Sequence, residues 1–182
     1  MQFDLSTTLF LVDKKEGFSP AMSHLVSMMN YTRDTTLRSV QDVTFEELDF
    51  LMHDEANSIG MLLGHMAAVE KVYQILTFEN REPTMEEIEE LSPGLDLGKK
   101  GREFFIGKSL ESYIEELEEI RGVTYQKFRS LPEQWLFEKT PFWMDQQGNN
   151  YFKWFHVFED EINHRGQIRL IKKYCRVTQL QK

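Results

Sequence analysis

Four stretches of this chain carry apolar residues three and four positions apart, the spacing that lines one face of an α-helix, and no stretch alternates as a half-buried strand does. The first opens at Ser19-Pro20, a capping residue followed by proline at the first helical position. It carries Met22, Leu25, Val26, Met29 and Leu37 toward Val40. The second runs over about 57–78, with Met61, Leu62, Ala68, Val69, Val72, Tyr73 and Leu76 on one broad face. The third, about 109–130, places Leu110, Tyr113, Ile114, Leu117, Ile120, Val123, Thr124 and Phe128 inward, with Glu115, Glu116, Glu118 and Glu119 on the solvated side. The fourth, about 150–176, carries Trp154, Phe155, Phe158, Ile162, Ile168, Ile171 and Tyr174, and closes with Lys172, Lys173 and Arg176 against the negative end of its dipole.

Between these lie two capping-box signatures, Thr44-Phe45-Glu46-Glu47 and Thr84-Met85-Glu86-Glu87. The first predicts a connector turn, the second a short acidic helix ending near Ser92-Pro93-Gly94, followed by a glycine-rich loop. Four long helices with short connections predict an all-α four-helix bundle, one domain spanning 1–182. That length, with 41% apolar and 28% charged residues, suffices for a core without staples. The segment between the third and fourth helices is long for a connector and rich in aromatics: Trp135, Phe137, Phe142, Trp143, Tyr151 and Phe152. It reads either as an apolar plug over one bundle end or as the wall of a site.

Charge and cysteine usage exclude several partners. Lys and Arg number 21 against 30 Asp and Glu, a net charge of -9 that repels phosphate backbones and anionic headgroups. The run Thr8-Leu9-Phe10-Leu11-Val12 follows Asp4, has neither a basic flank nor a cleavage site, and is too short to span a bilayer. Cys175 is the one cysteine, so no internal disulfide marks an oxidising compartment, and a cytoplasmic location is expected. It reads as a small core residue.

Three of the five histidines fall on inward faces of the second and fourth helices. His65 lies among Met61, Leu62, Ala68, Val69 and Val72, where an unpartnered imidazole would cost about 2 kcal/mol or more. Asp160 and His164 are four residues apart, hence on one face of the fourth helix and able to chelate one ion. His65 from a facing helix would complete two histidines and a carboxylate, an open ligand set for Zn, Fe, Mn or Ni; a core histidine satisfied by a carbonyl or a hydroxyl is the alternative. His156 continues the stripe but lies about 12 Å from His164 along the axis, which suits a substrate-facing or supporting role. Gly166, inside the helix, suggests close approach of a backbone or ligand, and Arg165 beside it either contacts substrate or pairs with Glu161.

Two motifs fall short. Glu161-Ile162-Asn163-His164 matches one unit of a di-iron bundle, but no second copy exists. Gly101 to Gly107-Lys108-Ser109 resembles a phosphate loop with a spacer one residue too long and no preceding strand.

The stretch Asn57-Ser58-Ile59-Gly60-Met61-Leu62-Leu63-Gly64-His65-Met66-Ala67-Ala68-Val69-Glu70, followed far downstream by His156-Val157-Phe158-Glu159-Asp160-Glu161-Ile162-Asn163-His164-Arg165-Gly166-Gln167-Ile168, resembles the DinB-like family of damage-inducible bacterial proteins. The resemblance covers most of the chain, and the His-Arg-Gly-Gln ending is its most specific element. It implies an up-up-down-down type bundle, frequently dimeric, holding a divalent metal with three side chains that match His65, His164 and the position four residues earlier. That position is commonly histidine in the family and is Asp160 here, a harder ligand. Characterised relatives include S-transferases that use bacillithiol or mycothiol, and a mycothiol-dependent isomerase. The resemblance therefore implies a metal-dependent thiol S-transferase with a small-molecule thiol and an electrophile as partners. The alternatives are a non-catalytic stress-response metal-binding or scaffold bundle, and a metal-dependent hydrolase with Glu159 or Glu161 as base.

Overall fold

The computed structural model describes residues 9–142 and 146–180; Asp4, Thr8 and Trp143 lie outside the described residues. The chain order is α1 (Pro20–Val40), α2 (Phe45–Asp49), α3 (Ile59–Gln74) with a π-helical turn over Ile75–Glu79, α4 (Met85–Leu95), α5 (Gly98–Phe105), α6 (Leu110–Ser130), a 3₁₀ turn over Glu133–Phe137, strands β1 (Lys139–Pro141) and β2 (Gln147–Asn149), and α7 (Asn150–Gln179). Among the described residues the protein is all-α apart from this one short antiparallel hairpin.

Local chemistry starts most helices where the sequence places them. Thr44 and Thr84 form reciprocal capping boxes with Glu47 and Glu87. The Asn149 side chain accepts from the Phe152 amide to start α7. At α1 the proline sits at the first turn, but Ser19 makes no capping hydrogen bond. Instead the Ala21 amide donates to Glu133 Oε2 at 2.7 Å, a carboxylate delivered from the far 3₁₀ turn to the positive end of the α1 dipole.

α1 packs on α7, and α3 packs on both α6 and α7. Each of these four long helices feeds two apolar clusters. One gathers Leu62, Leu63, Leu117 and Ile168; the other gathers Met22, Met29, Phe128 and Trp154. Along each helix one charged residue separates the two sets: Arg33 on α1, Glu70 on α3, Arg121 on α6 and Glu161 on α7. All four are buried. Arg33 holds Glu161 through Nε and Nη2 at 3.0 and 3.1 Å, and Arg121 holds Glu70 through Nε at 2.8 Å. Cross-links at 3.3 and 3.4 Å join the pairs, and Thr124 donates to Glu70 Oε1 at 2.7 Å. Two plus two charges cancel, so the layer ties four helices without leaving an unpaired ion.

Several expectations are corrected. The glycine-rich stretch after Gly94 is mostly the helix α5, because Gly101 lets it lie on Met61 and the Pro93 carbonyl while Phe105 packs across Gly64 of α3. On α7 the buried set is Asn150, Lys153, Trp154, Val157, Phe158, Glu161, Ile168, Ile171 and Cys175, so Phe155, Ile162 and Tyr174 fall beside it and are exposed, as is Val123 on α6. Counting the part-buried His164, steps of three and four run through Trp154, Val157, Glu161, His164, Ile168, Ile171 and Cys175, which follows neighbouring helices more closely than a broad apolar face does. The aromatic segment plays both expected roles. Trp135 is buried against Phe78 and Phe128 in the core, whereas Phe142 lines a cleft.

Candidate metal centre

α3 and α7 face each other across the three residues singled out as ligands. His65 stands two turns into α3, and Asp160 and His164 stand one turn apart on α7. His65 Nε2 lies 3.3 Å from Asp160 Oδ2, His164 Nε2 lies 3.3 Å from Asp160 Oδ1, and the two imidazole rings are 4.6 Å apart. One ligand atom from each residue falls within 4.8 Å of the other two. All three side chains are largely buried.

A carbonyl decides the state of His65. Its Nδ1 is 2.8 Å from the Gly94 oxygen, which can only accept, so Nδ1 carries the hydrogen. Gly94 can come this close because it lacks a side chain: a Cβ there would meet the Ala68 Cβ at 2.6 Å and the Gly64 oxygen at 3.0 Å. Its carbonyl is free for the task because α4 ends one residue later, leaving the last carbonyls of the helix without partners in the helix itself.

Neutral His65 therefore sets a bare Nε2 lone pair against a carboxylate oxygen. Two acceptors facing each other across 3.3 Å call for a cation between them, a metal ion or a proton on the ring. Asp160 Oδ2 and His164 Nδ1 are buried without a hydrogen-bond partner among the described residues. Two imidazoles and a carboxylate, one imidazole oriented by a carbonyl behind it, fit a divalent metal. Without metal the cation is a proton. Burial opposes charge on His65, but Asp160 and the Gly94 carbonyl outweigh it and raise its pKa above 6.5. Burial likewise opposes the Asp160 carboxylate, yet the imidazoles of His164 and His65 beside it hold its pKa well below the usual carboxylate range.

A family model described as mycothiol-S-transferase matches residues 24–176. The chain belongs to the mycothiol-S-transferase family, within the DinB-like proteins. The match runs from α1 to the end of α7, so His65, Asp160 and His164 all lie inside it. No curated protein matches the chain.

In this mycothiol-S-transferase family chain the triad opens into a cleft of about 550 Å³ that holds His65 and Asp160 at one end. Val69, Val72, Leu76 and Leu95 supply apolar walls, and Pro141 and Phe142 bring in the hairpin. His156 lines the same cleft, with Nδ1 3.1 Å from Glu159 Oε2, so it faces the place a substrate would occupy and stays apart from the triad. Burial pushes the pKa of the Tyr73 phenol upward and so keeps it neutral.

Arg165 faces elsewhere: it donates to the Thr32 carbonyl and the Thr35 hydroxyl of α1, neither in the cleft nor paired with Glu161. Glu161 is held by two arginines, and Glu159 accepts from Asn163 and pairs with His156, which removes the support for either as a hydrolytic base. At Gly166 a Cβ would meet no atom of the described residues within 4 Å, so the expected close approach of another backbone of this chain is not found there. Cys175 is buried. No helix among the described residues is long and apolar enough to cross a membrane.

Sequence reasoning missed the four-charge layer, the Gly94 carbonyl and Lys153. The arginines and glutamates of the layer sit at core spacing, a signal visible in the sequence.

Proposed function

We propose that this chain is a thiol S-transferase dependent on a divalent metal held by His65, Asp160 and His164, in a single-domain four-helix bundle that works as a homodimer. The observation that carries the reading is the bare Nε2 of His65 set against the buried Asp160 carboxylate, with His164 completing the set. Zn, Ni, Mn and Fe all suit two imidazoles and a carboxylate. When bound, such an ion supplies a Lewis acid that lowers the pKa of a thiol and favours the thiolate.

The chain's own groups do the rest. The Gly94 carbonyl fixes the His65 ring so that Nε2 faces Asp160. Val69, Val72, Leu76 and Leu95 give the cleft apolar walls along which the carbon chain of a substrate can pack. His156, steadied by Glu159, contacts the thiol or its electrophile. The family match makes mycothiol or a comparable low-molecular-weight thiol, such as bacillithiol, the expected co-substrate.

Elemental analysis of protein purified without a His tag, beside His164→Ala, tests the centre. Near-stoichiometric metal that disappears in the variant is the expected result. A protein that carries none, and takes up none when Zn, Ni or Mn is added, overturns the assignment.

A further inference from the structure

The cleft that reaches the triad has a second and chemically different end. Lys153 precedes Asp160 by seven residues on α7, so the two share a face and lie about 10 Å apart along the helix axis. It is 3% exposed, yet it lines the cleft. Its ammonium donates to the Thr140 hydroxyl and the Pro141 carbonyl of β1 and stands 5.5 Å from the centre of the Phe142 ring. Both acceptors are neutral, and among the described residues two bonds leave one of its three N–H groups unused. Burial works against its charge, and among the described residues the opposite charge acting on it is Glu82, an exposed carboxylate on the same cleft that forms no ion pair with it.

A buried ammonium held by neutral oxygens is an incomplete charge pair, and the open cleft is the direction from which the missing anion can come. Resting on the reading of the triad as a thiol-holding centre, we propose that Lys153 recognises an anionic oxygen group, a carboxylate or phosphate, at the end of the thiol co-substrate remote from its sulfur. A molecule with its sulfur at the triad and its chain along the walls formed by Val69, Val72 and Leu76 brings its far end to Lys153. The hairpin holds the lysine in place through Thr140 and Pro141, so β1 and β2 contribute to specificity.

The test is calorimetric binding of ω-mercaptooctanoate and ω-mercaptooctanol, matched probes long enough to span the cleft, to the full-length zinc-loaded protein. The acid binds about tenfold more tightly than the alcohol to the native chain, the size expected of a hydrogen bond to a charged group. Lys153→Met abolishes that preference and leaves the affinity for the alcohol unchanged, whereas Lys153→Arg keeps it. Equal binding of acid and alcohol to the native chain, or a preference that survives in Lys153→Met, overturns the proposal; the native comparison decides even if that variant does not fold.

If neither thiol binds, the thiol reading of the triad fails, and octanoate against octanol with metal-free protein then isolates the lysine. Octanoate bound about tenfold more tightly than octanol, with that margin lost in Lys153→Met, upholds Lys153 as the anion site. Equal binding of the two overturns it.

Discussion

Two glycines show how one residue type does opposite work in this chain. At Gly94 the missing Cβ lets α4 touch α3, and that contact brings the carbonyl to His65. At Gly166 the same absence is only a weakness in the middle of a helix, since nothing stands within 4 Å of where a Cβ would go. Substitution by alanine separates the two. Gly94→Ala is expected to push α4 outward and weaken metal affinity by about 10- to 100-fold, the usual effect of losing a group that orients a ligand. Gly166→Ala is expected to leave that affinity unchanged and raise stability by about 1 kcal/mol. Chelator competition and urea unfolding measure the two effects. Neither role can be read from the sequence, because a glycine's reason is the atom that its missing side chain would have struck.

The four long helices were legible, and α5 was not. Capping boxes at Thr44 and Thr84, proline at the start of α1 and Asn149 before α7 act within four residues, so the sequence contains both partners of each. What each helix buries was less legible. Periodicity placed Phe155, Ile162 and Tyr174 in the core, and they are exposed, whereas Arg33, Glu70, Arg121 and Glu161 are inside. A buried charge is permitted only by its partners, and these partners come from four different helices. Glu161→Ala leaves Arg33 short of its main partner in that layer and is expected to cost about 3–5 kcal/mol, read from the urea midpoint. Because Glu161 adjoins Asp160, the layer also fixes the register of α7 at the metal centre.

Across the whole molecule, long-range carboxylate pairs set the response to acid. Glu161 is depressed below the ordinary glutamate value of 4.5: burial opposes this, and the charges of Arg33 and Arg121 prevail. Glu47 is depressed below the same value chiefly by its hydrogen bonds from Arg176, which clamp α2 to the end of α7. In both, the unfolded chain takes up the proton first as pH falls. Their stabilisation is therefore fully present above about pH 4.5 and is lost as pH drops through the lower folded values. Urea unfolding of metal-free protein at about pH 7 and about pH 4 is expected to show the native chain losing stability at the lower pH, with a smaller loss in Glu161→Gln. The amino-acid sequence by itself determined the four long helices, the capping boxes at Thr44 and Thr84 and the placing of Asp160 and His164 on one face, since each depends on groups within a few positions along a rigid repeat. Only the tertiary structure decided that His65 meets that pair with its lone pair bared by Gly94, that Lys153 stands in the same cleft, and that four charges share the core. Those contacts join residues tens of positions apart, and their free energy exists only once the helices have packed.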